Sequence, residues 1–317
     1  MNPVGAVSPS NQPNHHGSDR LRDLVGYRVL AVHAHPDDES ISTGGALAHL
    51  ARRGADVLVV TCTLGEEGEV IGEPFQHLVV DEADQLGGFR IHELTDALGH
   101  LGVRGDFLGG AGRYRDSGMA GSPASENPQA FVNNTDRAVA DLTAVLLAER
   151  PHLVISYDPN GGYGHPDHIQ AHRITHAAVE QAGPLGWNVP RVLWAARLRS
   201  ELEAAFTEDI PESWTLPAPG ELDAVDAAGV DTWVELDDVI YAAKVAAMKA
   251  HATQVWIADG SVSRTNPHAA HACGPVTTYA LSNLIAQPII RREHYKVGVG
   301  LPLTPGDDLM AGVSIHP

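Results

Sequence analysis

Two short stretches of the chain concentrate side chains that could do chemistry. The first reads Ala34-His35-Pro36-Asp37-Asp38-Glu39-Ser40. The second reads Tyr157-Asp158-Pro159-Asn160-Gly161-Gly162-Tyr163-Gly164-His165-Pro166-Asp167-His168. Consecutive acids without a basic neighbour repel one another when held close together, and a divalent cation relieves that repulsion. Histidine and carboxylate donors from two loops, with a coordination position left open, describe a catalytic rather than a structural zinc site. A four-cysteine structural site is excluded, because the chain has only Cys62 and Cys273. One acidic loop alone would read as a solvated helix cap, with Asp38 or Ser42 capping the residues after Thr43. Two such loops, each following an apolar strand, point instead to one shared cation.

Rigid elements must bring the two loops together. Tyr27 to His33 and Ala55 to Thr63 read as buried strands, with Cys62 as packing. Val103 to Leu108, His152 to Tyr157 and Arg191 to Leu198 read as further strands. Between them, helical spacing of apolar residues predicts helices over Thr43 to Arg53, Asp81 to Leu101, Asn133 to Arg150 and His168 to Ala182. Strands alternating with helices imply an α/β fold with a Rossmann-like, mostly parallel sheet flanked by helices. In such sheets ligands sit at the carboxyl ends of the strands, where both loops fall. This domain is expected to span residues 23–198. Residues 1–22, rich in Asn, Pro, Ser and His, read as a disordered tail. Residues 199–317 read as a smaller C-terminal region that completes the fold and could shape a pocket. Within it Asp231 to Glu235 reads as strand and Asp238 to His251 as helix, followed by short segments broken by Gly and Pro.

Composition narrows the partners. The 317 residues carry a formal net charge of −19. A surface this acidic repels phosphate backbones, which argues against nucleic acid as a partner. No stretch approaches the roughly 20 apolar residues of a membrane helix, and no apolar signal core opens the chain. A cytoplasmic enzyme acting on a small molecule is expected. Oligomeric state is not legible.

His-Pro-Asp-Asp-Glu after one strand, paired with His-Pro-Asp-His after a later one, resembles the LmbE-like family of zinc-dependent deacetylases. The resemblance extends through Thr61 to Val70, Asp84 to Arg90, Tyr114 to Met119 and Lys249 to Gln254, and covers most of the chain from Tyr27 onward. It implies a metal-dependent hydrolase that removes an acetyl group from an amino sugar, nearest to members acting on N-acetylglucosaminyl-inositol in mycothiol biosynthesis. It implies His35, Asp38 and His168 as ligands of one Zn²⁺, with Fe²⁺ suited to the same donors. Asp37 matches the general base. Tyr163 and His165 match residues that assist at the oxyanion or protonate the leaving amine. Asp167 would orient a neighbouring histidine. Arg90, Asp116 and Glu69 match positions that contact the sugar–inositol substrate.

Three other readings stay open on the residues. The amidase branch of the same family, which cleaves mycothiol S-conjugates, shares the chemistry. Its members tend to carry Lys just after the Asp-Asp-Glu motif, where this chain has Ser42 nearby. Two histidines and a carboxylate are also the facial triad of non-haem iron oxygenases. A non-catalytic sugar-binding protein would not need Asp37.

Overall fold

The structure, a computed structural model, describes residues 22–315; the expected N-terminal tail lies almost wholly outside the described residues. Strands β1 (Arg28–His33), β2 (Asp56–Thr61), β3 (Arg104–Phe107), β4 (Leu153–Ser156) and β5 (Arg191–Ala196) lie parallel in the order β3-β2-β1-β4-β5. This is the Rossmann-like sheet expected from the alternation of strand and helix.

Side chains alternate across each strand, so each strand feeds two cores. Val29, Ala31, Val57, Val59, Leu153 and Ile155 face one of them. There they meet α2 (Gly44–Arg52) and α3 (Leu86–Leu101) through Leu47, Leu50, Leu94 and Leu98. Leu30, Val32, Leu58, Val60 and Val154 face the other. That side is closed by α4 (Thr135–Glu149) and α5 (Pro166–Ala182) through Leu142, Leu146, Ile174 and Ala178. Every one of these strand residues is below 10% exposed, which is why the strands read as continuous apolar runs rather than alternating ones.

Two features differ from the expectation. The helix expected from Asp81 begins at Leu86, because residues 79–85 form turns and Asp84 takes a left-handed φ of 49°. The second concerns the far side of the sheet. Beyond residue 198 come α6 (Arg199–Ala204), β6 (Thr232–Glu235), α7 (Asp238–Ala250) and the small antiparallel sheet of β7 (Trp256–Ile257), β8 (Thr278–Ala280) and β9 (Gln287–Pro288). A nine-residue strand follows, β10 (Arg292–Gly300), which pairs antiparallel with both β5 and β6. One seven-stranded sheet therefore runs across position 198, and α7 packs on the same face as α2 and α3.

The sequence Arg-Glu-His-Tyr-Lys-Val-Gly-Val-Gly conceals β10 because it is charged and ends in glycines. Its Glu293 is 4% exposed. The carboxylate accepts the Gly45 and Ala46 backbone N–H groups at 2.8 and 2.7 Å and pairs with Lys244 of α7. A buried acid is tolerated there because it satisfies the N-terminus of α2 and meets a cation. Among the described residues no helix is long and apolar enough to cross a membrane.

Candidate metal centre

The strand order reverses between β1 and β4, and that reversal opens a crevice at their carboxyl ends. The two chemistry-bearing loops leave from these neighbouring strands, so residues more than a hundred positions apart meet. After β1 the backbone turns sharply at Asp37, which has φ 117° and ψ −32°. An unfavourable backbone for a side chain with a Cβ persists only where its surroundings hold it. Here the Asp37 N–H donates to Glu39 Oε2 at 3.0 Å, and Glu39 in turn bonds His251 at 2.7 Å. Glu39 and His251 are both fully buried. The third acid of the Asp-Asp-Glu run thus shapes the loop instead of facing the crevice. After β4, Gly161, Gly162 and Gly164 take φ of 63°, 66° and 92°, conformations open to glycine at no steric cost.

Three side chains converge on one point. His168 Nε2 lies 3.3 Å from His35 Nδ1 and 3.4 Å from Asp38 Oδ1, and His35 Nδ1 lies 3.4 Å from Asp38 Oδ2. Donors bound tetrahedrally to zinc at about 2.0–2.1 Å are separated by roughly 3.3–3.4 Å; the two ring nitrogens match that spacing, and Asp38 sets one carboxylate oxygen beside each of them. The remaining ring nitrogens are oriented for the task. His168 Nδ1 faces the Gly161 carbonyl at 3.2 Å, and His35 Nε2 faces Asp167 Oδ2 at 3.3 Å and Asp116 Oδ1 at 3.6 Å. A ring N–H held on each outer nitrogen leaves the inner lone pair free for a metal. Asp38 Oδ2 also accepts from the Tyr157 hydroxyl at 2.7 Å, and that hydroxyl accepts from the Ala34 N–H at 2.8 Å.

A wider cluster surrounds this point. His165 lies close enough to group with His35 and His168, and Asp116 and Asp167 group with His35. Burial opposes charge on His35, yet Asp116, Asp167 and Asp38 raise its imidazole well above the usual range. Burial likewise opposes charge on Asp38, but His168 and His35 hold its carboxyl well below the usual range. So many carboxylates in one buried place make a trap for positive charge.

Asp37 stands beside the donors and outside their set. Its carboxylate is 3.2 Å from Arg90 Nη2. Burial pushes this carboxyl up to about 6 while Arg90 pulls the other way. Arg90 is 2% exposed and also donates to the carbonyls of Gly65, at 2.8 Å, and Pro36. It borders the crevice, but both of its terminal nitrogens are engaged by Asp37 and the loops around it, while its buried Nε has no partner among the described residues. Asp116 is half engaged: its Oδ1 accepts the Gly118 N–H at 2.8 Å and faces His35, while its Oδ2 has no partner among the described residues. Glu69 is exposed at the rim, and its carbonyl accepts from Gln254 at 3.0 Å.

His165 caps α5. Its Nδ1 accepts the Asp167 N–H at 3.1 Å, which leaves the proton of the neutral ring on Nε2. Burial, helped by His35 and His168, pushes the His165 imidazole down to about 3. Tyr163 is 58% exposed, its ring set edge-on to that of His168 with centroids 5.1 Å apart, and its hydroxyl has no hydrogen bond among the described residues.

The crevice is a cavity of about 620 Å³, and much of its wall comes from beyond residue 196. Sequence reasoning gave residues 199–317 as a region that could shape a pocket but named no residue of that wall, and it assigned no role to Tyr157, Glu39 or His251. Tyr157 was legible as the last residue of its strand run; nothing in the pattern marks the individual residues of the distant wall.

The model of the family described as "PIG-L: GlcNAc-PI de-N-acetylase" matches residues 30–179. The "1D-myo-inositol 2-acetamido-2-deoxy-alpha-D-glucopyranoside deacetylase" of Corynebacterium glutamicum (strain R) is 61% identical over 90% of this chain and 95% of its own. The proteins of that name from Corynebacterium diphtheriae and Rhodococcus erythropolis (strain PR4) are 56% and 51% identical. They cover 90% and 89% of this chain, and 98% and 94% of their own lengths. With both loops matched to the family and near full-length likeness to these relatives, the chain belongs to the PIG-L, or LmbE-like, deacetylase family.

Proposed function

We propose that this chain hydrolyses the N-acetyl group of N-acetylglucosaminyl-inositol, releasing acetate and the free amino sugar as a step of mycothiol biosynthesis. The observation that carries the reading is the convergence of His35, His168 and Asp38 at 3.3–3.4 Å, with Asp37 beside them. The activity for which relatives 51–61% identical to this chain are named supports the substrate.

His35, Asp38 and His168 would hold one zinc ion, and ferrous iron suits the same donors. Such a metal, when bound, polarises an amide carbonyl and lowers the pKa of a coordinated water to about 7. Asp37, close to the donors but with its own oxygens free of them, takes the proton of the attacking water. Arg90 orients that carboxylate and favours its charged form. The carbonyl oxygen gains charge as the water adds, and His165 donates its Nε2–H there as a neutral ring. Tyr163 adds a hydroxyl by swinging in on its glycine loop. The departing amine recovers the proton that Asp37 took. A positioned proton carrier of this kind contributes about 10²–10⁴-fold in rate. The free thiols of Cys62 and Cys273 suit a reducing compartment, and we place the enzyme in the cytoplasm.

The test follows free-amine release from N-acetylglucosaminyl-inositol by zinc-loaded protein, beside a cysteine-linked mycothiol conjugate and the Asp37→Ala variant. Release from the first substrate, lost in the variant while zinc stays bound, is the expected result. Faster cleavage of the conjugate would assign the amidase reaction instead. No hydrolysis of either would sink the reading.

A further inference from the structure

The polar groups nearest the metal donors are largely engaged within the protein, with Oδ2 of Asp116 left open to the cavity, and they reach only the part of a disaccharide-sized substrate beside them. Arg90 bonds two carbonyls and Asp37, and Asp116 bonds Gly118 and faces His35. Across the cavity lies a set with unspent capacity. Arg197 follows β5, the strand next to β4, so at about 4.8 Å between strands it begins one spacing from the loop carrying Tyr163 and His165. Its Nη1 donates to Gln287 Oε1 at 3.0 Å, and the Tyr279 hydroxyl donates to the same oxygen at 3.1 Å. Gln287 thereby spends its acceptor and keeps its amide N–H groups for the cavity it lines. Asp223, half-buried on the same wall, makes no hydrogen bond or ion pair among the described residues. It borders the catalytic loop directly: a Cβ placed on Gly162 would come within 3.2 Å of its Oδ2.

We infer that Arg197, Gln287 and Asp223 form a polyol subsite that reads the group attached to the amino sugar. The chemistry is that of neighbouring hydroxyls. A carboxylate accepts from them, while a guanidinium and an amide donate to their oxygens. A charged partner makes each such bond roughly twice as strong as a neutral one. The wall is built wholly from residues after β5, so the C-terminal region supplies specificity while the β1 and β4 loops supply chemistry. This inference rests on the deacetylase reading above, and its test separates the two.

The experiment compares kcat/KM on N-acetylglucosaminyl-inositol with kcat/KM on N-acetylglucosamine, which lacks the second ring. It does so for the zinc-loaded wild-type protein, Asp223→Asn and Arg197→Met. The ratio of the two values is expected to fall about tenfold or more in each variant, the size of one lost charged hydrogen bond, through KM on the larger substrate. A ratio within twofold of wild type in Asp223→Asn, which removes no bond within the protein, would overturn the subsite. Calorimetric binding of N-acetylglucosaminyl-inositol to the same proteins forms a second arm. If wild-type protein hydrolyses neither compound, the proposed reaction fails, while weaker binding by Asp223→Asn still upholds the subsite and unchanged binding still refutes it.

Discussion

The backbone N–H of Asp167 donates to Nδ1 of His165 at 3.1 Å, which pins that imidazole as the neutral tautomer with its proton on Nε2. The proposed oxyanion role would thus fall to the same side chain that caps the helix. The ring can donate one hydrogen bond into the crevice, and gaining a second proton would break the cap. His165→Ala should therefore lower kcat by about 10²–10³-fold, the cost of one oxyanion donor, with zinc content unchanged. A kcat within threefold of wild type would remove His165 from the mechanism.

Removal of the metal should abolish activity, and readdition of zinc should restore it. The hydroxyl of Tyr157 offers a sharper check, since it holds Asp38 Oδ2 at 2.7 Å. Loss of a partner that orients a ligand costs about 10–100-fold in metal affinity. Zinc titration of Tyr157→Phe against a competing chelator measures that, and an unchanged affinity would show that Asp38 needs no such support.

Gly65 takes φ +66°, and a side chain there would collide with the Arg90 guanidinium. Gly65→Ala should displace Arg90 from Asp37. We expect kcat to drop about tenfold or more, alongside a backbone cost of about 1–2 kcal/mol. Destabilisation in urea without any change in kcat would mean that Arg90 does not position the base.

Lys244 and Glu293 form a pair 5% and 4% exposed at their side chains. Lys244→Met strands the carboxylate in the core, which costs about 3–5 kcal/mol. Urea unfolding reads this directly. A loss below about 1 kcal/mol would mean that the backbone N–H groups of Gly45 and Ala46 and the Tyr295 hydroxyl suffice to hold Glu293.

His176 accepts the Trp194 indole N–H at 2.9 Å, and burial, with His172 nearby, pushes its imidazole down to about 4. The unfolded chain binds this proton first, so stability is full above the ordinary value of 6.5 and falls as pH drops from there to about 4. In His176→Gln, which can still accept from Trp194, the slope of the urea midpoint between those pH values should flatten. An identical slope in both proteins would place the acid sensitivity elsewhere.

Much of this protein was readable from its sequence because local patterns carry it. Apolar runs such as Leu153–Ser156 become strands buried on both faces, and the helix expected from His168 is there, beginning two residues earlier at Pro166 behind a capping His165. The dense His/Asp loops announce a cation because like charges so close together need one. Even the sheet class follows, since strands alternating with helices leave little choice of hand or direction. Strand adjacency was a matter for the tertiary structure. Only the pairing of β1 with β4 brings His35 within 3.3 Å of His168. Only β10, held between β5 and the edge strand β6 with Glu293 buried against Lys244, carries the sheet past β5. The division between spent and unspent polar groups, Arg90 against Asp223, also has no signature in the chain. Whether a charge is free depends on which neighbours the fold brings to it, and those neighbours are distant in sequence.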